Sequence, residues 1–579
     1  MRRIRRLGAA IVLAAAVTCA GTGCTVIPVS GPYTMSEPGA GDPLTKPFQR
    51  MIATSPQPSW GPEQTIRGLQ AAMAAYADDP TVLPQYLTAE ALKAWTPSGA
   101  VTVLDEPLQF DPPEPGGAEP VQRITLSAKQ VARIEEDDTY VPQSGNWERP
   151  FHLVKVEGVG YRVSQLPDGL ILTRSDVDRA YRPTKLYYLN GSTQDRVVVD
   201  NVRLRLKPAE TYAKVILERL LKQPSGALQG AASTAFPAGT KIESVRFGED
   251  EHVVVNLSGP LDLLDLSGED ALMAQIRYSL NNNDVAKGRG ISVLVDGEPY
   301  TSYQPDADDQ RWLDNSGNTA FYVSKGAVHH MTKEGPGGAV AGPAGEQRQG
   351  YSDFAISKLA THVAARTSTG ISMAPLTTQG GQWQEVIRGD DLTPPSWHRD
   401  GSLWTFDQKN RVVLRYDPAG KRGPIVVSAP ELDRLRLDVT RLRIARDGVR
   451  VAVITGKNTV QVGALTTMGG LKLANFRPLT TTEEGNEILD VAWRDDEHLL
   501  VLAQSKAGQI LNEINVGDGE VAEIPLKDRL KVLAALNEQV LAEAFGEKGK
   551  GPKILQLNED LSWTSKIDSD VESPLFPLG

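Results

Sequence analysis

Ser396-Trp-His-Arg-Asp-Gly-Ser-Leu-Trp-Thr-Phe406, Arg443-Ile-Ala-Arg-Asp-Gly-Val-Arg-Val-Ala-Val453 and Ala492-Trp-Arg-Asp-Asp-Glu-His-Leu-Leu-Val-Leu502 are three copies of one pattern. An apolar strand runs into a tight turn, and a second apolar strand returns. In two copies the turn is Asp-Gly, where glycine accepts a positive φ. The equivalent positions Trp397, Ile444 and Trp493 stand 47 and 49 residues apart. A fainter copy, Ala355-Ile-Ser-Lys-Leu-Ala-Thr-His-Val-Ala-Ala365, carries Leu359-Ala360 at its turn, and Ala534-Ala-Leu-Asn-Glu-Gln-Val-Leu541 is another. A repeat of about 40–50 residues suits one four-stranded propeller blade. Radial closure protects the strand edges that separate sheets would leave open. Residues 301–579 are therefore expected to form an all-β propeller of roughly six blades, with five to seven within the available length. A pair of β-sandwiches is the rival, and the even spacing disfavours it. The glycine-rich stretch Glu334 to Gly345 falls between blades or within an early one.

Upstream, residues 181–300 read as α+β. Lys185 to Leu189 is a strand, and Pro208 to Leu221 a helix stopped by Lys222-Gln-Pro-Ser-Gly226. Val245 to Phe247 and His252 to Ser258 pair as strands. A helix from Glu269 carries Leu272, Ile276 and Leu280, and Ile291 to Gly297 is a last strand. The order LxxLLxxP, PxGT, VxVNLS, QIxYSL, VLVDG resembles the GerMN domain of germination proteins and cell-envelope lipoproteins.

Residues 44–180 start helical. Pro62 sits in a first turn, and Ile66, Leu69, Met73 and Tyr76 recur on one helical face. Asp78-Asp79-Pro80 ends that helix, and Ala89 to Trp95 is a second, short one. Strands follow at 101–104, 121–126, 130–134, 151–156 and 161–163, with an acidic, proline-rich loop at 111–120. Helices followed by a strand meander are similar to the NTF2 and cystatin folds, in which a curved sheet wraps a helix. The run Glu135-Glu-Asp-Asp138 is expected to be a solvated hairpin tip, or an acidic contact for a basic partner.

The N-terminus is an address. Arg2, Arg3, Arg5 and Arg6 precede an apolar run from Leu7 to Val17, too short to span a bilayer. Residues 1–23 are a signal peptide. Gly23-Cys24 resembles a bacterial lipobox, with Gly21 where leucine is usual. The resemblance implies an S-diacylglycerol and an N-acyl (palmitate) group on Cys24, and a lipid-anchored location on the extracytoplasmic face of the cell membrane. Residues 24–43, rich in proline and glycine, are a flexible tether holding the body about 25 Å from the lipid.

Composition excludes further classes. The chain has 579 residues, 40% hydrophobic and 23% charged, and a net charge of −11. That balance suits a globular chain and argues against a nucleic-acid binder, which needs a basic face. Cys19 and Cys24 are the two cysteines, so the body has no thiol for a disulfide, a zinc site or a nucleophile. HExxH, GxSxG and a complete P-loop are absent. Gly456-Lys-Asn-Thr459 is a hairpin turn, and Gly158-Val-Gly160 lacks a dinucleotide fingerprint's third glycine. His329 and His330 are adjacent on a strand and point to opposite faces. Asp306, Asp308, Asp309, Asp314 and Asn315 lack calcium-loop spacing. Trp397, Trp404 and Trp493 are expected in blade cores rather than on a ligand platform.

Signal, lipobox, α+β unit, GerMN-like unit and propeller, in that order, resemble the LpqB lipoprotein family of actinobacteria. The resemblance implies a non-catalytic partner of the extracellular region of the sensor histidine kinase MtrB, acting on two-component signalling and envelope homeostasis. It implies no cofactor and no metal. A receptor for peptidoglycan or a small ligand, using the propeller channel, is the alternative. A wall hydrolase is a third reading.

Overall fold

The computed structural model describes residues 33–36, 49–111, 121–205, 211–248, 252–287, 289–300, 312–313, 318–376, 380–420, 422–435, 438–483, 485–546, 550–568 and 570–579. The signal peptide, Cys24, the loop at 112–120 and the aspartates 306, 308, 309 and 314 lie outside them.

Six four-stranded antiparallel sheets make the propeller. Five of them start with the hairpins read as repeats: 352–366, 396–407, 439–455, 487–504 and 530–544. The remaining blade is composite. Phe321–Ser324, Ala327–Met331 and Pro336–Ala339 supply three strands, and the distant Glu572–Leu575 supplies the fourth. That strand takes the inner position, against the inner strands Leu530–Leu536 and Ser352–Ile356 of the flanking blades. The glycine-rich stretch provides this blade's outer strand and the 3₁₀ turn Pro343–Gly345. Apolar layers fill the spaces between blades. Trp404, Phe406 and Val413 of one blade, for example, pack on Ile444, Val451 and Val453 of the next.

The first unit is built on two long antiparallel strands, Val121–Ile134 and Tyr140–Val156. The stretches read as two strands at 121–126 and 130–134 are one strand, with a register shift between Gln130 and Ala132. The helix Pro62–Ala75 lays Ile66, Leu69 and Met73 into the core with Phe151, Leu153 and Val163. The tether, expected to be flexible throughout, contains a paired strand. Tyr33–Ser36 pairs with Gln49–Ile52, because an extended backbone beside a strand can satisfy its own N–H and C=O groups there.

The second unit has two sheets, 197–205/181–190/232–233 and 241–247/253–258/291–295/298–299. The strands Val253–Ser258 and Ile291–Val295 are parallel, joined through the helix Leu266–Asn281. Val197–Arg205 was not foreseen as a strand. Its alternation was readable: Val198, Val202 and Leu204 face the core.

Candidate functional site

In three blades the repeat aspartate organises the turn between the inner two strands. Asp447 Oδ1 accepts from the N–H groups of Val449 and Arg450, at 2.7 and 2.9 Å. Asp400 Oδ1 accepts from the N–H of Ser402 at 2.8 Å, and Asp495 Oδ1 from those of Glu497 and His498. Burial pushes the Asp400 and Asp495 carboxyls up. Hydrogen bonds from His398 and Ser402 at one, and from His498 and backbone N–H groups at the other, outweigh it; they hold Asp400 well below the usual range and lower Asp495.

These turns form one face of the propeller, and the second unit sits on it. Asp195 meets Arg399 at 2.9 Å and Lys358 at 3.6 Å. Arg196, fully buried, donates to the Arg446 carbonyl at 3.2 Å and pairs with Asp496. Asn190 donates to the Asp447 carbonyl, and Arg450 to that of Val199. Lys185 reaches Glu497 at 2.8 Å, and Arg203 reaches Asp518 at 3.3 Å. Val449 and Ala464 join the second unit's apolar core. The sequence reading missed this joint, although an available signal was the arginine before the aspartate in each repeat. Arg399 serves it with its side chain, through Asp195, and Arg446 with its carbonyl, its guanidinium donating instead to the Pro577 carbonyl; Arg494 turns to Glu513, Glu538 and the Asn537 carbonyl.

The first unit joins through the acidic tip. Asp138 pairs with Arg219 at 3.2 Å, and the Asp137 carboxylate accepts from the N–H of Gly226. Asp137 and Asp138 are thus partly covered, with Arg219 of the same chain as the basic partner of Asp138, while Glu136 stays exposed to solvent.

Along the propeller axis, Ile356, Trp397, Ile444, Trp493, Leu578 and Gly579 close around a cavity of about 10 Å³. That is less than a small ligand needs, so at this level of the axis a ligand has no room. Trp397 Nε1 donates to the Ala355 carbonyl at 3.0 Å and Trp493 Nε1 to that of Arg443 at 3.1 Å, each bridging to the preceding blade. Trp404 is buried and donates to Ser402 Oγ at 2.8 Å. The tryptophans are core, as expected.

His398, Asp400 and Ser402 have the composition of a hydrolytic triad but not its wiring. Ser402 Oγ donates to Asp400 at 2.6 Å, and His398 Nε2 lies 2.8 Å from the Gly448 carbonyl. A nucleophile needs its base on its own oxygen; here the serine serves the carboxylate. His329 stacks on Tyr322, and His330 packs at a tilt against Phe321, both at 5.1 Å between ring centroids. Among the described residues, no three His, Cys, Asp or Glu side chains converge as metal ligands.

Known families fit this architecture unit by unit. The model described as the lipoprotein LpqB beta-propeller domain matches residues 330–577. The lipoprotein LpqB N-terminal domain matches 55–178, and a sporulation and spore germination model matches 185–301. The chain belongs to the LpqB lipoprotein family. The LpqB of Thermobifida fusca (strain YX) is 28% identical over 552 residues, covering 84% of this chain and 86% of the relative. That of Streptomyces coelicolor is 25% identical over 611 residues, covering 96% and 95%. Among solved structures, a nidogen/laminin complex aligns with a TM-score of 0.34 at 10% identity, over 45% of this chain and 98% of that one. Virginiamycin B lyase from Staphylococcus aureus gives 0.29 at 12% identity, over 43% and 80%. Scores this low carry no weight for fold or activity. No helix among the described residues is long and apolar enough to cross a membrane.

Proposed function

We propose that this LpqB lipoprotein is a non-catalytic binding partner of an MtrB-like sensor histidine kinase. Acyl chains on Cys24 hold it on the extracytoplasmic face of the cell membrane, where it tunes a two-component relay and envelope homeostasis. The observation that carries the non-catalytic part is the wiring of His398, Asp400 and Ser402: the side chains with catalytic composition are spent on holding a blade turn. The anchor favours a membrane partner. From Cys24 to the paired strand at Tyr33 the chain can reach at most about 30 Å. Confinement to that layer raises the effective concentration toward a membrane-bound sensor without any new contact.

The test is capture of the extracytoplasmic region of the kinase by the full chain in detergent, with binding measured by calorimetry. Saturable binding at one site is expected. Absence of binding, together with release of soluble fragments from peptidoglycan, would replace this reading with a hydrolase.

A further inference from the structure

The segment Leu261-Asp-Leu-Leu-Asp-Leu266 leads into the helix Leu266–Asn281, and its leucines divide into two sets. Leu261 is buried in the second unit's core, and Leu264 packs against that core. Leu263 and Leu266 are 76% and 84% exposed, the highest values for large apolar side chains among the described residues. The core is satisfied without them, so their exposure has no structural return.

The loop that carries them is held in shape. The Leu264 N–H donates to the Leu261 carbonyl at 3.1 Å, and Tyr300 Oη donates to the same carbonyl at 2.9 Å. Asp265 Oδ1 caps the helix by accepting from the Gly268 N–H at 2.8 Å. A knob already ordered loses little entropy on binding. It is also well placed. The opposite end of the helix packs Tyr278 on Tyr187, and Asn283 holds Lys185, whose Nζ reaches the propeller. The leucines therefore stand about 24 Å from that joint, one helix length.

Charge selects the occupant. Asp262, Asp265, Glu269 and Asp270 flank the leucines along the chain, and no Lys or Arg occurs between residues 259 and 276. On the adjoining strand, Lys241 is accompanied by Glu243, which accepts from Ser258 Oγ. A second copy of the chain would bring acid against acid, and an anionic lipid surface would repel the patch.

We propose that Leu263 and Leu266 are a docking knob for a protein surface with an apolar groove rimmed by Lys or Arg. This rests on the kinase-partner reading above and gives it a contact surface. Two leucines entering a groove change affinity by roughly 100-fold, and a flanking carboxylate acts mainly through the encounter rate and its salt dependence.

The experiment measures binding of the kinase's extracytoplasmic region to the full chain in detergent by calorimetry, at low and high salt. Leu263→Ser/Leu266→Ser should raise Kd by about 100-fold with an unchanged Tm, since neither side chain is packed. Asp262→Lys should weaken binding about 3–10-fold at low salt and much less at high salt. Val426→Ser, at an exposed valine on the third blade, should bind as wild type. If wild type binds and the double leucine variant binds equally well, the knob assignment is wrong while the partner reading stands. If wild type does not bind, the partner reading fails and the knob with it. Self-association lost in the leucine variant would overturn the basic-groove assignment in favour of a second copy.

Discussion

Arg219, on the helix Tyr212–Leu220 of the second unit, donates Nε to Asp138 of the first unit at 3.2 Å. Its Nη2 donates to the Asp137 carbonyl at 2.9 Å, and its Nη1 to the Gln223 carbonyl at 2.8 Å. One nearly buried guanidinium thus closes its own helix and the joint to the neighbouring unit. Burial pushes the Asp138 carboxyl above its ordinary range, and Arg219 holds it back.

Removing that cation should leave the Asp137 and Gln223 carbonyls without their donor, while Asp138, 36% exposed, is partly screened by water. Arg219→Met is expected to cost about 1–3 kcal/mol, set mainly by the carbonyls left without a partner. Asp138→Asn should cost less. Urea denaturation gives both numbers, and additive losses in the double variant would mean that the two side chains do not act together.

Two turn glycines separate strain from crowding. Gly401 and Gly448 both have positive φ, +86° and +71°. A Cβ on Gly401 meets open space, whereas one on Gly448 would lie 2.5 Å from Arg399 Cδ and 3.0 Å from His398 Nε2. Gly401→Val should cost about 1–3 kcal/mol from backbone strain alone. Gly448→Val should cost more, and should also loosen the seat of the second unit through Arg399. Equal midpoints for the two variants would contradict this.

Closure of the ring depends on its last strand. Phe576 is fully buried beside Tyr322, Leu541 and Ile554, and the strand before it completes the first blade. Phe576→Ala should destabilise by about 3–5 kcal/mol. A shortened chain ending at Val571 should lose the single cooperative melt of the propeller in calorimetry.

Acid should weaken the seat of the second unit. At Asp195, burial raises the carboxyl pKa, but hydrogen bonds from Arg399 and Thr193 and the charges of Arg399 and Lys358 outweigh it, bringing it to about 2 from an ordinary 3.8. An acid depressed by folding contributes stability above its unfolded pKa and loses it as pH falls through the folded one. The advantage of wild type over Asp195→Asn should be full above about pH 5, fall as pH drops toward the folded value, and be gone near pH 1. Urea midpoints of the two proteins across that range check the sign. A gap that widens in acid would refute it.

Cys24→Ala should free the chain from the membrane without changing the melt of its folded units, because the anchor contributes no core. Fractionation and mass spectrometry of the lipidated residue decide this. A Cys24→Ala form that stays on the membrane with its signal removed would refute the anchor.

Five blades were legible in the sequence because each begins with a local hairpin: an apolar strand, a tight turn, with a residue at positive φ in four of the five, and a return. Such a pattern needs only neighbours in the chain. The same is true of the Pro62 helix and of the helix carrying Leu272, Ile276 and Leu280. The sixth blade was not legible, because its inner strand, Glu572–Leu575, comes from some 250 residues beyond its other three. Nor was the fate of the charges. Glu135 to Asp138 looks like any solvated acidic tip until Arg219 is brought against it. Asp195 and Arg196 look like turn residues until the turns of four propeller blades, at Lys358, Arg399, Arg446 and Asp496, surround them. Hydrophobic period is written into consecutive residues, whereas the partner of a charge is set by which distant segments the closed ring and the seated second unit bring within about 4 Å. Local order belonged to the sequence, and the joints between units to the tertiary structure.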